Sequence, residues 1–267
     1  YGSQKKSDIT GAVASVGSEE LEKAVFNSVD QVLQGRSSGV LVTSASGEPG
    51  APANIRIRGN NSISGNNSPL YVIDGIPISG SPNFNPQEIE NLEVLKDASA
   101  TAIYGSRGAN GVILITTKRG KTGETSFDLY SNVSFSTVEP PYEVLRGQDY
   151  AEYRNEANAA LGNALPFPNP EQYEGQGFDW FDEISRTGIR QEYGLNISGG
   201  SEKTRFFISG NLLDDEGVIK GSQFKRGSLR ANIDMDALND KLNLKLSING
   251  TQTQNLKPHS TKFVLIE

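Results

Sequence analysis

The stretch AIYGSRGANGVILITTKRG, residues 102–120, decides the fold because its three evenly spaced glycines lie beside an apolar run. Two interpretations compete for this pattern, a phosphate-binding loop and the end of a helix. A dinucleotide-binding fingerprint requires a strand, then the glycine turn, then a helix, so that the phosphate meets the helix N-terminus. Here the helical pattern DASATAIY precedes the glycines, and the strand-like run GVILITTK follows them. The order is reversed, so the stretch predicts a helix that ends and a strand that begins.

The glycines lie at the carboxyl end of the predicted helix, where the partial negative charge repels phosphate. No Lys-Ser or Lys-Thr pair follows them, as a P-loop requires. We predict instead that Gly105 caps the helix and that Gly108 and Gly111 allow a tight turn. Arg107, between them, is predicted to bridge to a carboxylate or to backbone carbonyls.

The composition excludes several classes of function. The chain has 267 residues, a net charge of -7 and a pI near 5.0, so no general attraction to nucleic acid is expected. Cysteine is absent, which excludes disulfides, thiolate metal sites and thiol catalysis. His259 is the single histidine, and it lies near the C-terminal end, so the sequence gives little support for a histidine-based catalytic triad. No catalytic residue, metal site or cofactor site is predicted.

The two ends of the chain suggest a larger protein. Tyr1 opens the sequence instead of Met, no signal peptide follows it, and no apolar run reaches the roughly 18 residues of a membrane-spanning helix. At the other end the strand-like run KFVLIE, residues 262–267, stops without a terminating signal. We therefore expect a piece of a longer chain.

Short helices and short strands alternate over the first 120 residues. GSEELEKAVFNSVDQVLQG, residues 17–35, predicts one or two short helices with Ser18 as the N-cap. Strand-like runs follow at residues 39–45, 53–59, 69–78, 89–97 and 111–118. This pattern predicts a small α+β domain.

A polar loop separates two of these strands and supplies the candidate binding residues. Side-chain amides and hydroxyls suit an uncharged, hydroxyl-rich ligand. The alternative is that they make Asx-turns in a solvated loop. The substrate-facing candidates are Asn60, Asn61, Ser64, Asn66 and Asn67.

After Gly120 the sequence changes to strict alternation of apolar and polar residues. Five long strands are predicted, each with one apolar face and one strongly polar face. The apolar face carries Phe127, Leu129, Val133, Phe135, Tyr193, Leu195, Ile197, Phe206, Ile208, Leu212, Leu229, Ala231, Ile233, Met235, Leu242, Leu244, Leu246 and Ile248.

The lengths of the connections distinguish two architectures for these strands. Alternation alone also fits an antiparallel sandwich with one wet face. However, the connections GGSEK and LND are short, whereas residues 138–189 and DDEGVIKGSQF form longer ones. Alternating short and long connections are typical of an outer-membrane β-barrel, with tight periplasmic turns and long extracellular loops. Five strands cannot close a barrel, so we expect more strands to follow.

Four quoted segments carry a family resemblance. PLYVIDGIPI, IENLEVLKDASATAIYGSRGANGVILITTKRG, FDWFDEISRTG and LNISGGSEKTRFFISGNLLDDEGVIKG occur in this order. Together they resemble SusC/RagA-type TonB-dependent outer-membrane transporters of Bacteroidota. The resemblance implies an α+β plug domain at residues 1–120 and the first five or so strands of an incomplete transmembrane β-barrel at residues 121–267. Twenty-two strands would close the barrel, and a long extracellular loop would lie at about residues 138–189.

The same resemblance implies partners and a location. Such transporters lie in the outer membrane with the plug on the periplasmic side, and they import oligosaccharides or peptides with a SusD-like surface lipoprotein. TonB supplies energy through an N-terminal box, which would precede Tyr1. No cofactor is implied. The plug-motif residues, which the resemblance assigns to architecture, are Asp74, Gly75, Tyr104, Gly105, Arg107, Gly108 and Gly111.

Two other classes of function remain open from the residues alone. A surface carbohydrate-binding β-sandwich would need the five strands to bury one face against a second sheet. A glycoside hydrolase would need two carboxylates at roughly 5 to 10 Å across a cleft, and no pair is singled out by spacing.

Overall fold

The structure is a computed structural model of the chain. It describes residues 13–18, 21, 28–44, 46–57, 59, 67–78, 80–96, 101–140, 144–239 and 241–258.

The N-terminal unit is the part of the chain up to Thr117, and its described residues contain seven strands. They are β1 (Val13–Gly17), β2 (Val40–Ser44), β3 (Ala53–Ile57), β4 (Leu70–Ile73), β5 (Ile76–Ile78), β6 (Ile89–Leu95) and β7 (Val112–Thr117). Five of them form a sheet in the order β1-β6-β7-β4-β5, and β2 pairs with β3 in a separate antiparallel ribbon. β4 and β7 are parallel, whereas the other pairs in the five-stranded sheet are antiparallel. The sequence did not predict β1, an edge strand.

Apolar side chains from the five-stranded sheet, from the β2–β3 ribbon and from a short 3-10 helix form the main core. The 3-10 helix spans Asp30–Leu33, and its Val32 and Leu33 are fully buried. Ile89, Leu92 and Ile113 pack in the same cluster from the sheet. The remainder of the helical region predicted over residues 17–35 lies largely outside the described residues.

The turn between β4 and β5 explains one of the plug motifs. Asp74 and Gly75 both have positive φ, 47° and 87°, which is the backbone of a tight two-residue hairpin. The Asp74 carboxylate accepts hydrogen bonds from the backbone N–H of Thr117 at 3.0 Å and from its hydroxyl at 2.6 Å. The hairpin is therefore fastened to the end of β7.

The glycine stretch forms a 3-10 helix over Ala102–Gly108, with a kink at Gly105. Gly105 has φ 62° and ψ -151°, a conformation reserved for glycine. Helical geometry is therefore interrupted at Gly105, as predicted, and a second short helical segment follows it to Gly108. A Cβ at Gly111, where φ is 91°, would lie 2.7 Å from Cδ1 of Ile57. The turn before β7 is thus packed directly on β3.

The second half of the described chain is one antiparallel sheet, which we call the wall sheet. Its strands are β8 (Gly123–Ser136), β9 (Gly188–Gly200), β10 (Thr204–Glu216), β11 (Gln223–Ala237) and β12 (Leu242–Leu256). Each strand pairs with the next in the sequence. This arrangement confirms the predicted fold class, an α+β unit followed by antiparallel strands of an incomplete barrel.

The connections of the wall sheet differ in length from end to end. The β9–β10 and β11–β12 connections are short and lie at one end of the sheet, whereas β8 and β9 are separated by 51 positions at the other end. The β10–β11 connection spans only residues 217–222, which is shorter than predicted because both strands extend through the acidic and polar residues that flank it. Residues 118–122 join the N-terminal unit to β8 at the short-turn end.

The long connection between β8 and β9 has its own secondary structure. Helix α1 spans Gly147–Ala160, a 3-10 turn spans Pro170–Tyr173, and helix α2 spans Trp180–Ile184. The Asp179 carboxylate accepts the Asp182 backbone N–H at 3.0 Å and caps α2. That hydrogen bond is the main reason that the pKa of Asp179 is lowered. Among the described residues, no helix combines the length and apolarity needed to cross a membrane.

On β9, β10 and β11 the buried face of the wall sheet is mostly polar, and the exposed face is mostly apolar. Leu129, Leu229 and Phe127 are 79%, 69% and 71% exposed on the outer face. The inner face of β9, β10 and β11 lies against the N-terminal unit instead. Its buried polar residues are Arg190, Glu192, Ser209, Asn211, Arg226, Ser228, Arg230, Asn232 and Asp234. This is the reverse of a water-soluble sandwich, which would bury the apolar face.

Candidate functional site: the seam between the N-terminal unit and the wall sheet

A buried ion pair joins the N-terminal unit to the middle of the wall sheet. The Glu88 carboxylate accepts a hydrogen bond from Nε of Arg230 at 2.7 Å and from Oγ of Ser209 at 3.0 Å. Both charged side chains are almost completely buried, at 1% and 3% exposure. The Arg230 guanidinium also lies 5.0 Å from the centroid of the Phe84 ring. Each charge of this pair is therefore compensated by a group in the other part of the structure.

A second set of contacts fastens the end of β7. Nδ2 of Asn232 donates to the Thr117 hydroxyl at 3.1 Å and to the Lys118 carbonyl at 2.7 Å. Arg119 forms an ion pair with Asp234 at 2.7 Å. Since Thr117 also donates to Asp74, the hairpin motif, the end of β7 and the wall sheet share one hydrogen-bond chain.

Tyr130 reaches the seam from β8 because β9 carries a glycine opposite it. The strand register pairs Tyr130 with Gly194, and a Cβ at Gly194 would lie 2.1 Å from Cζ of the tyrosine ring. The Tyr130 hydroxyl accepts hydrogen bonds from the side-chain amides of Asn85 and Asn211. Asn211 in turn donates to Glu192 at 3.1 Å. No sequence signal indicated this network, although an isolated glycine inside a strand marks close approach in general.

One buried arginine in the seam is incompletely hydrogen-bonded within the described residues. Arg226 is 3% exposed and donates through Nη1 to the Phe84 carbonyl at 3.3 Å. Its Nε and Nη2 have no partner there, and neither does the nearby hydroxyl of Ser228. Buried N–H groups of this kind are ordinarily satisfied by water. The N-terminal unit and the wall sheet are therefore held together at the seam by charged groups, amides and hydroxyls more than by apolar packing.

A buried carboxylate lies at the heart of the N-terminal unit. Asp30 accepts hydrogen bonds from the Tyr71 hydroxyl at 2.7 Å and from the Ser81 hydroxyl at 2.6 Å. Burial raises the pKa of Asp30, and the two hydrogen bonds oppose that shift. Burial also raises the pKa of Tyr71, with a further contribution from the Asp30 charge. This cluster ties the 3-10 helix to β4 and to the segment after β5.

The structure gives the following positions to the predicted substrate-facing residues. Asn60, Asn61, Ser64 and Asn66 lie outside the described residues. Asn67 is half-buried shortly before β4. The substrate-facing role of these five residues stays a prediction.

The plug-motif residues fall in two places in the N-terminal unit. Asp74 and Gly75 form the β4–β5 hairpin, whereas Tyr104, Gly105 and Gly108 lie in the kinked 3-10 helix. Arg107 is exposed in the same helix, and no ion pair of its guanidinium occurs within the described part of the chain. The predicted bridge from Arg107 to a carboxylate is therefore not formed there.

An aromatic cavity occupies the long connection, away from the seam. It has a volume of about 570 Å³ between α1 and α2. The rings of Phe178 and Trp180 are 4.8 Å apart, and both side chains are more than half exposed. The cavity is mostly apolar, which suits contact with another macromolecule or ring-shaped ligand.

Comparison with known proteins agrees with this architecture. The family profile described as TonB-dependent Receptor Plug Domain matches residues 5–112. TonB-dependent receptor P26 of Formosa agariphila is 42% identical over 259 residues, covering 93% of this chain and 26% of the relative. TonB-dependent receptor SusC of Bacteroides thetaiotaomicron is 40% identical over 259 residues, covering 93% of this chain and 25% of that protein.

Solved structures show the same fold. The RagAB peptide importer in its open-open state superposes with a TM-score of 0.85 and 27% identity, over 97% of this chain and 32% of that chain. The crystal structure of the siderophore receptor PirA from Acinetobacter baumannii, at 22% identity and a TM-score of 0.59, shares the fold. The chain spans about a quarter of the length of the curated relatives it matches. These matches identify the chain as a TonB-dependent receptor plug domain followed by antiparallel strands, of the SusC/RagA type.

Proposed function

We propose that the chain is the plug and first wall segment of an outer-membrane transporter that imports oligosaccharides. One observation carries the proposal: the wall sheet exposes its apolar face and buries its polar face on the N-terminal unit. A membrane barrel with a lipid-facing exterior and a plugged polar lumen has this arrangement. The alternative carbohydrate-binding sandwich would require the apolar face to be covered by protein, and among the described residues it is uncovered.

The proposal assigns an orientation to the two parts. Residues 1–120 form the plug, and residues 121–267 contribute the first strands of the barrel. Residues 118–122 and the short turns belong to the periplasmic end, and the connection with α1 and α2 belongs to the extracellular end. Long outer loops and short periplasmic turns are the usual asymmetry of such barrels.

Oligosaccharide is proposed as the substrate because the candidate residues in the sequence between β3 and β4 are polar and uncharged. The loop candidates are amides and hydroxyls, which pair well with sugar hydroxyls. Peptide is the second candidate, since the RagAB structure is that of a peptide importer. The proposed partners are a SusD-like surface lipoprotein at the extracellular end and TonB at the periplasmic end, and both rest on the family resemblance.

The test is uptake by cells that lack the gene encoding this chain. A deletion strain and a complemented strain are supplied with fluorescent oligosaccharides and fluorescent peptides, and a strain lacking TonB serves as the control. We expect uptake of one or more oligosaccharides to require both the gene and TonB. Equal uptake of every compound by the deletion and complemented strains would refute import, and uptake of peptides alone would replace the proposed substrate.

A further inference from the structure

A small cavity lies in the seam at the end of the wall sheet that carries the long connections. It has a volume of about 210 Å³ and is bounded on one side by the N-terminal unit and on the other by Phe224 of β11. Gly50 packs on this ring, since a Cβ there would lie 2.2 Å from its Cδ2. The ring is therefore fixed in place as a wall of the cavity.

The lining of the cavity combines hydroxyl, amide and apolar surfaces and contains no charged side chain. Its polar residues are Ser28, Ser81 and Asn83, and its apolar walls include Phe224 and two prolines, Pro52 and Pro82. A sugar ring presents hydroxyls at its edge and C–H groups on its faces. Amides and hydroxyls suit the edge, and an aromatic or proline surface suits the face.

The hydroxyls of Ser28 and Ser81 can each form a further hydrogen bond with a ligand. Ser81 donates its hydroxyl proton to Asp30 at 2.6 Å, which leaves its oxygen lone pairs to accept from a ligand. The Ser28 hydroxyl is buried and has no hydrogen-bond partner in the described residues. A buried hydroxyl without a partner is costly, and a ligand that supplies one removes that cost.

The size of the cavity limits the ligand to one ring. Pockets for drug-sized molecules enclose about 300 to 1,000 Å³, so this cavity is too small for several linked sugars. The absence of charge in its lining disfavours a peptide terminus or an acidic side chain, because a desolvated charge would face no counter-charge.

From this geometry we infer that the cavity binds a single neutral sugar unit, the end residue of an oligosaccharide on its way through the transporter. The inference rests on the proposed function and names the contact residues of that substrate. Phe224 and the prolines contact the faces of the ring, and Ser28, Ser81 and Asn83 contact its hydroxyls. The plug and the wall sheet therefore share the recognition of one unit.

The test uses the full-length transporter purified in detergent and titrated calorimetrically with neutral oligosaccharides of hexoses and pentoses, and with a matched set of peptides. Asn83→Ala removes an exposed amide at the cavity, and Ser28→Ala removes the unpaired hydroxyl. Asn163→Ala, in the exposed turn after α1, is the matched control. We expect the first two variants to weaken oligosaccharide binding roughly three- to tenfold, the effect of one lost hydrogen bond, and the control to bind as the wild type does.

The outcomes separate the inference from the proposed function. If the wild type binds an oligosaccharide and both cavity variants bind it equally well, the cavity is not the sugar site, although oligosaccharide import stands. If only peptides bind and Asn83→Ala weakens them, the sugar class is refuted. If the wild type binds no oligosaccharide and the variants change nothing, both proposals fail.

Discussion

The ion pair between Glu88 and Arg230 is expected to be a principal attachment of the N-terminal unit to the wall sheet. To test this, three variants of the full-length transporter are compared with the wild type: Glu88→Ala, Arg230→Ala and the double variant. Each single substitution removes one member of the pair and leaves the other charge without its partner. The remaining charge is buried, since the Glu88 side chain is 1% exposed and the Arg230 side chain is 3% exposed. An unpaired charge of this kind is far more costly than the loss of an exposed pair.

The structure sets the expected magnitude. Breaking a buried pair by removing one partner costs about 3 to 5 kcal/mol, and Glu88→Ala also removes the acceptor of the Ser209 hydrogen bond at 3.0 Å. The double variant leaves no unpaired charge, so its cost is expected to be smaller than the sum of the two single costs by about 2 kcal/mol or more.

Hydrogen exchange measured by mass spectrometry reports the result through the amides of β6, the strand that begins directly after Glu88, and of β7, which pairs with β6. A cost of about 3 kcal/mol corresponds to a loss of protection of roughly 100-fold, since about 1.4 kcal/mol is a factor of ten. The control is Glu183→Ala, which breaks an exposed 3.9 Å pair with Lys220 and should leave β6 unchanged. Strictly additive single costs, or equal effects of Glu88→Ala and Glu183→Ala, would show that the pair does not hold the unit.

Three further predictions follow from separate features. Burial raises the pKa of Asp30 above its ordinary 3.8, so the folded unit binds this proton more tightly than the unfolded chain does. The contribution of Asp30 to stability should therefore be fully present below pH 3.8 and be lost as the pH rises through the raised pKa. Denaturation of Asp30→Asn measured across that pH range should lack this decline, and an unchanged pH profile would contradict the assignment. Leu229→Arg places a charge on the outer face and should lower the stability of the barrel folded into lipid vesicles by about 2 to 4 kcal/mol in urea titrations, whereas Asn163→Arg in the outer loop should not. Gly194→Ala should displace the Tyr130 ring and lower thermal stability. Because Tyr130→Ser removes the ring that the new methyl group would meet, the double variant should lose less stability than the sum of the two single losses, and strictly additive losses would locate the damage elsewhere.

Much of the wall sheet was predictable because its alternation has a simple physical cause. Each strand separates two environments, so the period of two reveals both faces, as at Leu129 and Asn211. What alternation alone does not reveal is which face is buried. The connection lengths and the family motifs, by contrast, predict that the polar face is the buried one.

The contacts of the seam were not predictable from the sequence. Glu88 and Arg230 are separated by 142 positions in the chain, and nothing local marks either as a partner of the other. β1 was missed because GAVASVG consists of small residues without a strong strand pattern. The interruption of helical geometry at Gly105 was predictable, because a glycine after a helical run favours a conformation that ends the helix, but the short helical segment between Gly105 and Gly108 was not.

The short link between β7 and β8 limits how far the N-terminal unit can move from the wall sheet. Residues 118–122 separate Thr117 from Gly123, and even fully stretched they span only about 20 Å. Gly120 also lies flat against the backbone of Phe206, where a Cβ would be 2.3 Å from its nitrogen. The end of β7 therefore stays within about 20 Å of the start of β8. Any movement of the N-terminal unit relative to the wall sheet would be hinged at this link, so the opposite, N-terminal end of the unit would move farthest.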